Sequence, residues 1–387
     1  MAKSSLKKYF SILKYILKGI RIKDPSRSDV LVFDYEGSKV LKETILGGIP
    51  HSILYTRYEI FYFGPQIILK IIKNFFVTEL HVKFSISIVG RLYLLYLFSC
   101  VEHISPKVVI TWVDDSRSFH YVSRHYKRAA FYAVSNGFRY EYPVVIPKNG
   151  YKISMPHFIC YGDFEVDLYK KYGHKIDRYH TVGPVIGSYF MTEKAKDINS
   201  NKYDLCLVSQ CEPTIIKGIV YPEIRNAIVK LDEFLSRYIE EFDLTLCIAL
   251  RSTDPVELDY FRKAYGTRAL FSEKANDWLA TYRAMAESDT IVVFDSTAAV
   301  EAYGWGKKVL FTNFSGTDRY SIPVSNFCFI KGDDYKTFSE KLTEIRNMSS
   351  LEYHQNTKEN RDYLVRFDPE KPAHKYVRNL IKMAIEC

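Results

Sequence analysis

The chain has 387 residues, enough for two domains of ordinary size, and 47% of them are hydrophobic and 26% charged, as is normal for a globular protein. The net charge is +9, but residues 1–23 hold seven basic side chains and no acid, which leaves only +2 for the rest. Nucleic-acid-binding proteins carry basic charge on their folded surface, so this class is excluded. The seven cysteines include no C-x-x-C pair, which argues against zinc and disulfide frameworks and fits reduced thiols in a cytoplasm.

Residues 1–24 are predicted to form a basic amphipathic helix that ends at Asp24-Pro25. Its apolar stripe consists of Leu6, Phe10, Leu13, Leu17 and Ile20. Lysines interrupt every apolar run, which distinguishes the segment from a signal peptide. Helices of this type lie in the interface of an anionic membrane, so we expect residues 1–23 to bind the inner face of the cytoplasmic membrane and the protein to be cytoplasmic and peripheral. The alternative is that the stripe packs on the folded body.

Short apolar strands alternate with helices from residue 25 to residue 187, which predicts an N-terminal Rossmann-like domain over 25–187. Gly183-Pro184, Gly187 and the polar stretch that follows mark its end. The predicted strands are Val30–Phe33, Ser52–Tyr55, Val108–Val113, Ala129–Val134, Phe158–Tyr161 and Tyr179–Val182, and the predicted helices cover 38–46, 64–77, 85–104 and 163–172.

The second half repeats this alternation and predicts a second Rossmann-like domain over residues 188–370. Its predicted strands are Asp204–Ser209, Leu244–Leu250, Thr290–Phe294 and Lys308–Phe311, and its predicted helices are Pro222–Phe242, Val256–Ala264, Trp278–Glu287 and Ala298–Tyr303. The fold class is therefore α/β, with two Rossmann-like domains facing a central cleft. A last helix within 371–387 is expected to return to the first domain.

Ligands of open α/β sheets bind beyond the carboxyl ends of the strands, and the clearest candidate there is Asp295-Ser296-Thr297. The three residues connect a strand to a helix, whose free N–H groups can bind a phosphate while Ser296 and Thr297 add hydroxyl donors. Glu301 lies one turn beyond Thr297, where a carboxylate could accept both hydroxyls of a ribose. An ordinary capped helix is the alternative interpretation.

A second candidate is Arg251, which follows a buried strand and could pair with a phosphate or a sugar carboxylate in a bidentate way. The alternative is a structural salt bridge to Asp254 or Glu257. Ser209-Gln210 follows the first strand of the same domain and should open onto the same cleft. Lys307, together with Arg251, is expected to offset negative charge on a leaving nucleotide.

In the first half, acidic and turn residues follow the strands. Transfer by direct displacement needs a base for the acceptor hydroxyl, and a carboxylate facing the donor would serve. Asp114, Asp115 and Glu59 are the predicted candidates, although any one of them could be a surface cap. The full set is Asp34, Glu36, Glu59, Asp114, Asp115 and Asn136-Gly137.

Taken together in their order and spacing, these pieces resemble the bacterial surface-carbohydrate biosynthesis proteins, a set of GT-B glycosyltransferases. The similarity runs from about Val30 to about Asn313. It rests on Asp34 with Gly37, Thr56-Arg57-Tyr58-Glu59, Pro106–Thr111 leading to Asp114-Asp115, Asn136-Gly137, Ser209-Gln210, and Asp295-Ser296-Thr297 with Glu301-Ala302 and Gly306-Lys307. The chain departs from the family pattern at Asp115, where asparagine is usual, and at Ser135, where glutamine is usual.

The resemblance implies a GT-B fold, a nucleotide-sugar donor held mainly by the C-terminal domain, an acceptor held by the N-terminal domain, and no metal or other cofactor. A CMP-linked keto-sugar such as Kdo or a nonulosonic acid is one implied donor, with UDP- and GDP-sugars also open. The implied acceptor is a growing glycan or glycolipid of a surface polysaccharide, lipopolysaccharide or capsule. The alternatives are a nucleotide-sugar epimerase or polyol-phosphate transferase on the same scaffold, and a non-catalytic, membrane-docked assembly protein.

Overall fold

The structure is a computed structural model that describes residues 19–57, 59–77, 88–141, 145, 151–196, 198, 202–272, 277–332 and 334–386. Its strands form two large parallel sheets, one in each half of the chain, and helices cover both. The predicted α/β class with two Rossmann-like domains is therefore confirmed. Among the described helices, none has the length and apolar character that a bilayer crossing requires.

The central strands of the N-terminal half are short and rich in β-branched and aromatic residues, which favour the extended backbone. In chain order the strands are β1 (Ile20–Arg21), β2 (Val30–Phe33), β3 (Ser52–Leu54), β4 (Phe61–Tyr62), β5 (Val108–Thr111), β6 (Ala130–Val134), β7 (Ser154–Cys160) and β8 (Lys175–Thr181). Six of these described strands form one parallel sheet in the order β3-β2-β5-β6-β7-β8. All of β2 is buried, as expected for a parallel strand that is covered on both faces.

Helices cover the two faces of this sheet. They are α1 (Ser38–Leu41), α2 (Pro65–Val77), α3 (Ile88–Ile104), α4 (Arg117–His125), α5 (Asp163–Lys171) and α6 (Val185–Tyr189), and π-helical turns continue α1 to Leu46 and α6 to Lys194. Leu97, Phe119 and Tyr169 contribute helix side chains to the core on one face, and Leu41 and Val185 contribute to the core on the other. The predictions did not include α4, whose sequence is mostly polar.

The C-terminal half forms a second parallel sheet. Its described strands are β9 (Tyr203–Val208), β10 (Leu246–Ala249), β11 (Ala269–Phe271), β12 (Ser288–Val293), β13 (Lys308–Asn313) and β14 (Phe329–Lys331). Their order is β11-β10-β9-β12-β13-β14, so the chain leaves β9 in one direction and later returns to its other side at β12. In doubly wound sheets this reversal creates a crevice at the carboxyl ends of the two central strands.

The helices of the C-terminal half pack around this sheet and bury an extensive apolar core. They are α7 (Pro213–Ile216), α8 (Pro222–Glu241), α9 (Pro255–Tyr265), α10 (Ala280–Ala286), α11 (Thr297–Gly304), α12 (Tyr335–Asn347) and α13 (Ser350–Leu364). Three-residue 3₁₀ turns lie at 266–268, 318–320 and 326–328. The bounds of α8, α9 and α11 differ from the predicted ones by one residue at most.

The last helix, α14 (Ala373–Glu386), packs on the N-terminal sheet rather than on the domain that precedes it. Val377 and Ile381 are fully buried in the core that contains Val30 and Val108. Arg378 adds a hydrogen bond of 2.6 Å from its guanidinium to the carbonyl of Gly47. The chain therefore crosses between the domains twice.

The chain before β2 also differs from its prediction. Residues 1–18 of the predicted amphipathic helix lie outside the described residues. Ile20–Arg21 form a strand that pairs with Phe61–Tyr62, so the helix does not extend to Asp24 as predicted. The Asp24 carboxylate instead accepts a hydrogen bond of 3.0 Å from the N–H of Ile67, in the first turn of α2. The start of α2 is thereby fixed by the segment before β2.

We expect Ile381→Ala to lower the free energy of unfolding by about 3 kcal/mol, because the substitution leaves a cavity in the N-terminal core. Met383→Ala is the matched control, since Met383 lies on the same helix but is exposed, and its effect should stay within about 0.5 kcal/mol. Urea unfolding of both variants measures the difference. Equal effects would mean that α14 does not pack on the N-terminal sheet in solution.

Candidate functional site

A cavity of about 420 Å³, here called the interdomain cavity, lies between the two domains. On the C-terminal side it is lined by residues that follow β9, β10 and β12, at the crevice where the strand order reverses. On the N-terminal side it is lined by Phe138, Arg139 and Tyr140, which follow β6. The site therefore has contributions from both domains, at the carboxyl ends of their strands.

The start of α11 forms one wall of this cavity. Ser296 is the residue before the helix, and its extended backbone (φ −153°, ψ 126°) is typical of an N-cap. Its side chain forms no capping hydrogen bond, so the predicted alternative of an ordinary capped helix is not observed. Ser296, Thr297 and Ala298 all line the cavity. The N–H groups of the first helical turn, which have no partners within the helix, are therefore placed beside it.

Asp295 joins the two domains within the cavity. Its carboxylate accepts a hydrogen bond of 3.0 Å from the hydroxyl of Tyr140. Burial raises the pKa of Asp295 to about 6, against the opposing effects of the Tyr140 hydrogen bond and of Arg251. The charge of Asp295 therefore changes just below neutral pH, next to the start of α11.

Arg251 lines the same cavity and has acidic and amide partners. Its guanidinium donates to the side-chain oxygen of Gln210 at 3.1 Å and pairs with Glu212 at 2.5 Å. About half of the side chain stays exposed. The predicted alternative of a salt bridge to Asp254 or Glu257 is wrong, because Asp254 caps α9 and Glu257 binds backbone and hydroxyl groups.

Glu257 organises the loops that carry the predicted donor-binding residues. It is fully buried, and it accepts hydrogen bonds from the Ser209 hydroxyl at 2.5 Å and from the N–H groups of Arg251 and Ser252, both at 2.8 Å. The ends of β9 and β10 are thus tied to one carboxylate. Ser209 and Gln210 do line the interdomain cavity, but the Ser209 hydroxyl is directed to Glu257.

Glu301, predicted to hold a ribose, lies beneath the cavity rather than in its lining. It is 3% exposed, and its oxygens accept from the Tyr161 hydroxyl and the Gly187 N–H, both at 2.8 Å, while Tyr282 adds a further hydrogen bond. Burial raises the pKa of Glu301 to about 7. A Cβ atom at Gly187 would lie 2.6 Å from this carboxylate, so a larger residue there would displace it from its hydrogen bonds.

Lys307, predicted to offset nucleotide charge, lies at the other end of β12 from the cavity. Its ammonium donates to the carbonyl oxygens of Ala286 and Ser288, at 2.8 and 2.5 Å. Burial lowers the pKa of Lys307 to about 8. Because these carbonyls lie at the start of β12 and the cavity lies beyond its end, the structure separates Lys307 from the predicted residues that line the cavity.

The N-terminal acids divide into two groups. Asp114 is fully buried and pairs with Arg139 through two N–H groups, and the guanidinium also donates to Asn136 at 2.7 Å. Asp114 thus positions Arg139 at the cavity but does not line the cavity itself. Although burial opposes the change, the pKa of the Arg139 guanidinium is raised, chiefly by Asp114, and the charge of the next residue, the exposed Asp115, adds to this increase.

Glu59 belongs to a separate cluster around Arg57. The Arg57 N–H donates to the Glu59 carboxylate at 3.0 Å, and the guanidinium pairs with Asp34 at 3.1 Å and with Glu36. Asp34 has a φ of 100°, unusual for a residue other than glycine, at the end of β2. The structure therefore brings Asp34, Glu36 and Glu59 together, apart from the Asp114–Arg139 pair.

Sequence reasoning missed several lining residues. Arg139 and Tyr140 lie two and three residues beyond the Asn136-Gly137 turn, which was noted as a strand end, so extending that inspection by three residues would have found them. Gly137 lies against α11, since a Cβ there would be 3.0 Å from the Thr297 hydroxyl. Trp278 also lines the cavity, but nothing in the sequence beyond its place in a helical pattern marked it as a site residue.

Tyr140 also lines a second cavity, of about 710 Å³. Its walls include Phe164 and Lys171 of α5 and Arg319 from the loop after β13. Tyr363 of α13 completes the aromatic part, and its ring is nearly perpendicular to that of Phe164, with the ring centroids 5.8 Å apart. This cavity too is shared by both domains.

Within the described ranges, no group of three or more His, Cys, Asp or Glu side chains is placed to hold a metal ion.

No protein-family model and no curated protein sequence matches the chain. Solved structures match almost its whole length. A UDP-GlcNAc 2-epimerase from Neisseria meningitidis, bound to UDP-GlcNAc, is 13% identical with a TM-score of 0.53, over 92% of this chain and 99% of that one. A variant of the wall teichoic acid polymerase TagF is 10% identical with a TM-score of 0.54, over 99% and 98%. A glycosyltransferase from Rickettsia africae is 12% identical with a TM-score of 0.51, over 93% and 99%.

At these identities the likeness establishes the fold alone. The GT-B-like arrangement predicted from the sequence is confirmed, because glycosyltransferases and epimerases of this arrangement align over nearly all of both chains. The resemblance to surface-carbohydrate biosynthesis proteins stays a prediction, as no sequence family matches.

We expect Glu301→Gln to remove a pH dependence of stability. The pKa of Glu301 in the folded protein, about 7, is above its ordinary value of 4.5. The contribution of Glu301 to stability is therefore fully present below pH 4.5 and is lost as the pH rises through 7. The free energy of unfolding of the variant, relative to that of the wild type, should therefore rise by about 3 kcal/mol as the pH increases from about 4 to about 8. Urea unfolding across this range measures it. Glu359→Gln, at an exposed position, is the control and should show no such trend. A difference from the wild type that does not change with pH for Glu301→Gln would contradict the raised pKa of Glu301.

Proposed function

We propose that the chain is a glycosyltransferase that binds a nucleotide-activated sugar in the interdomain cavity. One observation carries the proposal: the uncapped start of α11 and the Arg251 side chain lie on one wall, and Arg139 lies on the other. Two guanidinium groups and a set of free N–H groups thus meet at one cavity. This combination suits a ligand with a diphosphate or a phosphate and a carboxylate.

The donor phosphate would bind at the start of α11, with Ser296 and Thr297 donating hydroxyl hydrogen bonds. The base of the nucleotide would stack on Trp278, whose ring lines the same cavity. Arg251 would stabilise the negative charge that develops on the leaving nucleotide, in a cavity from which domain closure excludes water. Glu301 and Lys307 have no direct contact with the donor in this account.

Arg139 gives the N-terminal domain a direct role in donor binding. Its guanidinium is held by Asp114 and Asn136, so it reaches the cavity in a fixed orientation. A CMP-linked keto-sugar carries a carboxylate beside its anomeric carbon, and a fixed second guanidinium would recognise it. We therefore keep an acidic keto-sugar as the proposed donor, with UDP- and GDP-sugars as the alternatives for the test.

The acceptor would occupy the second cavity, which adjoins the first at Tyr140. Its three aromatic rings, of which Tyr363 is exposed, and its mixed charges suit the hydroxyl-rich surface of a glycan or glycolipid. Asp115 is the proposed base, because it is an exposed carboxylate that follows the same strand as Asp114 and its charge acts on Arg139, whereas the carboxylate of Asp114 is paired. Glu59 is the alternative base. The product would be an extended surface polysaccharide, lipopolysaccharide or capsule chain.

Isothermal titration with CMP, CDP, UDP and GDP tests the donor site. We expect one nucleotide to bind selectively and Arg251→Ala to weaken it about 10- to 100-fold, since a charged hydrogen-bonding partner is lost. Arg268→Ala is the control, because Arg268 is as exposed and pairs with Glu240 in the same domain. Failure of all four nucleotides to bind would contradict the proposal and favour the non-catalytic assembly protein.

Sugar transfer from the selected donor to a membrane fraction tests the base. Asp115→Asn should lower kcat by about 10²- to 10⁴-fold with unchanged nucleotide affinity, while Glu59→Gln should have little effect. The reverse result would assign the base to Glu59, and no effect of either would exclude both. Interconversion of the sugar without any acceptor would contradict transfer and favour the epimerase alternative.

A further inference from the structure

The outward face of α2 is apolar, which is unusual for a helix on the surface of a domain. Ile67 and Asn74 are buried against the domain, whereas Leu69, Ile72 and Phe76 on the opposite side are 60%, 52% and 80% exposed. Ile68 is also exposed and completes the same stripe. These four exposed residues are here called the outer face of α2. Folding of the described chain leaves them in contact with water.

The charges around the outer face are positive. Pro65–Val77 contains no acid, and Lys73 is exposed at the edge of the stripe. Lys70 lies one turn before Lys73, on the same side of the stripe, and is partly neutralised by Glu102 at 3.7 Å. An apolar stripe with a basic edge is the pattern of helices that lie in the interface of an anionic bilayer.

The N-terminal segment reaches the described structure beside this helix. β1 pairs with β4, which ends three residues before α2 begins, and Asp24 caps the first turn of α2. Gly64 permits this contact, since a Cβ there would lie 2.2 Å from the Asp24 carboxylate. Residues 1–18, which precede β1, contain five lysines and no acid. The chain that follows the basic segment is therefore held at the N-terminal end of α2, the helix that carries the outer face.

We infer that the outer face of α2 docks on an anionic lipid surface, with the basic N-terminal residues attracted to the same headgroups. The apolar side chains would enter the boundary between headgroups and acyl chains while Lys73 remains among the headgroups. A second copy of the chain is a poorer partner, because a two-fold contact through this face would bring the basic segments together. The inference does not depend on the donor site, and vesicle binding and nucleotide binding can fail separately.

Cosedimentation of the full-length protein with vesicles tests this inference. We expect binding to phosphatidylcholine vesicles that contain phosphatidylglycerol, and weaker binding to phosphatidylcholine alone. The combined variant Leu69→Gln, Ile72→Gln and Phe76→Gln should bind more than ~10-fold more weakly, because less apolar surface enters the membrane. The matched control carries the same change at exposed apolar positions of the other domain, Ile219, Leu270 and Leu351, and should bind like the wild type.

A fluorescence measurement tests the same inference with single substitutions, so its result does not depend on the stability of the combined variant. Phe76→Trp places a reporter on the outer face, and brominated lipids in the anionic vesicles should quench it. Leu351→Trp, on the other domain, should not be quenched. Equal vesicle binding by the combined variant and the wild type, or no quenching at position 76, would overturn the inference. A wild-type dimer that the combined variant dissociates, without vesicle binding by either, would overturn it as well.

Discussion

The relative placement of the two domains depends on the buried carboxylate of Glu301. It belongs to α11 of the C-terminal domain, and it binds Tyr161 at the end of β7 and Gly187 in the crossing segment α6. An unsatisfied buried carboxylate is costly, so these two donors and the Tyr282 hydroxyl must stay in place for the charged form to be tolerated. Because Ser296 lies five residues earlier in the chain, this contact also fixes the start of α11 opposite Arg139. The interdomain cavity therefore owes its shape to a residue that does not line it.

Other buried carboxylates also hold cavity residues in place from outside the cavity. Glu257 holds the ends of β9 and β10, and Asp114 holds Arg139, so each positions a cavity residue without entering the cavity. Asp295 is the acid that the cavity does contain, and its raised pKa is a consequence of burial beside Tyr140. Apart from Asp295, these carboxylates support the cavity without lining it, and the guanidinium groups of Arg139 and Arg251 give the lining the positive charge that an anionic ligand requires.

The sequence predicted the fold class well because its strongest strands, such as Val30–Phe33, are uniformly apolar and its helices begin at recognisable breaks such as Tyr221-Pro222. It was weaker for edge strands such as β8, whose exposed polar residues give no apolar run. For the site, strand-end reasoning located Ser209, Arg251 and Ser296 correctly at the cavity. It could not tell that Glu301 faces inward, because positions one turn apart share a helix side but differ in what tertiary packing places against them.

Hydrogen exchange of the backbone amides, measured with and without the nucleotide that binds most tightly, tests the central claim most directly. Phosphate bound at the start of α11 would occupy the N–H groups of Thr297–Ala299, which have no partners within the helix. The account predicts slower exchange there and at Arg139–Tyr140 on the opposite wall. Nucleotide binding that leaves both segments unchanged, or that protects only residues outside the cavity, would contradict it.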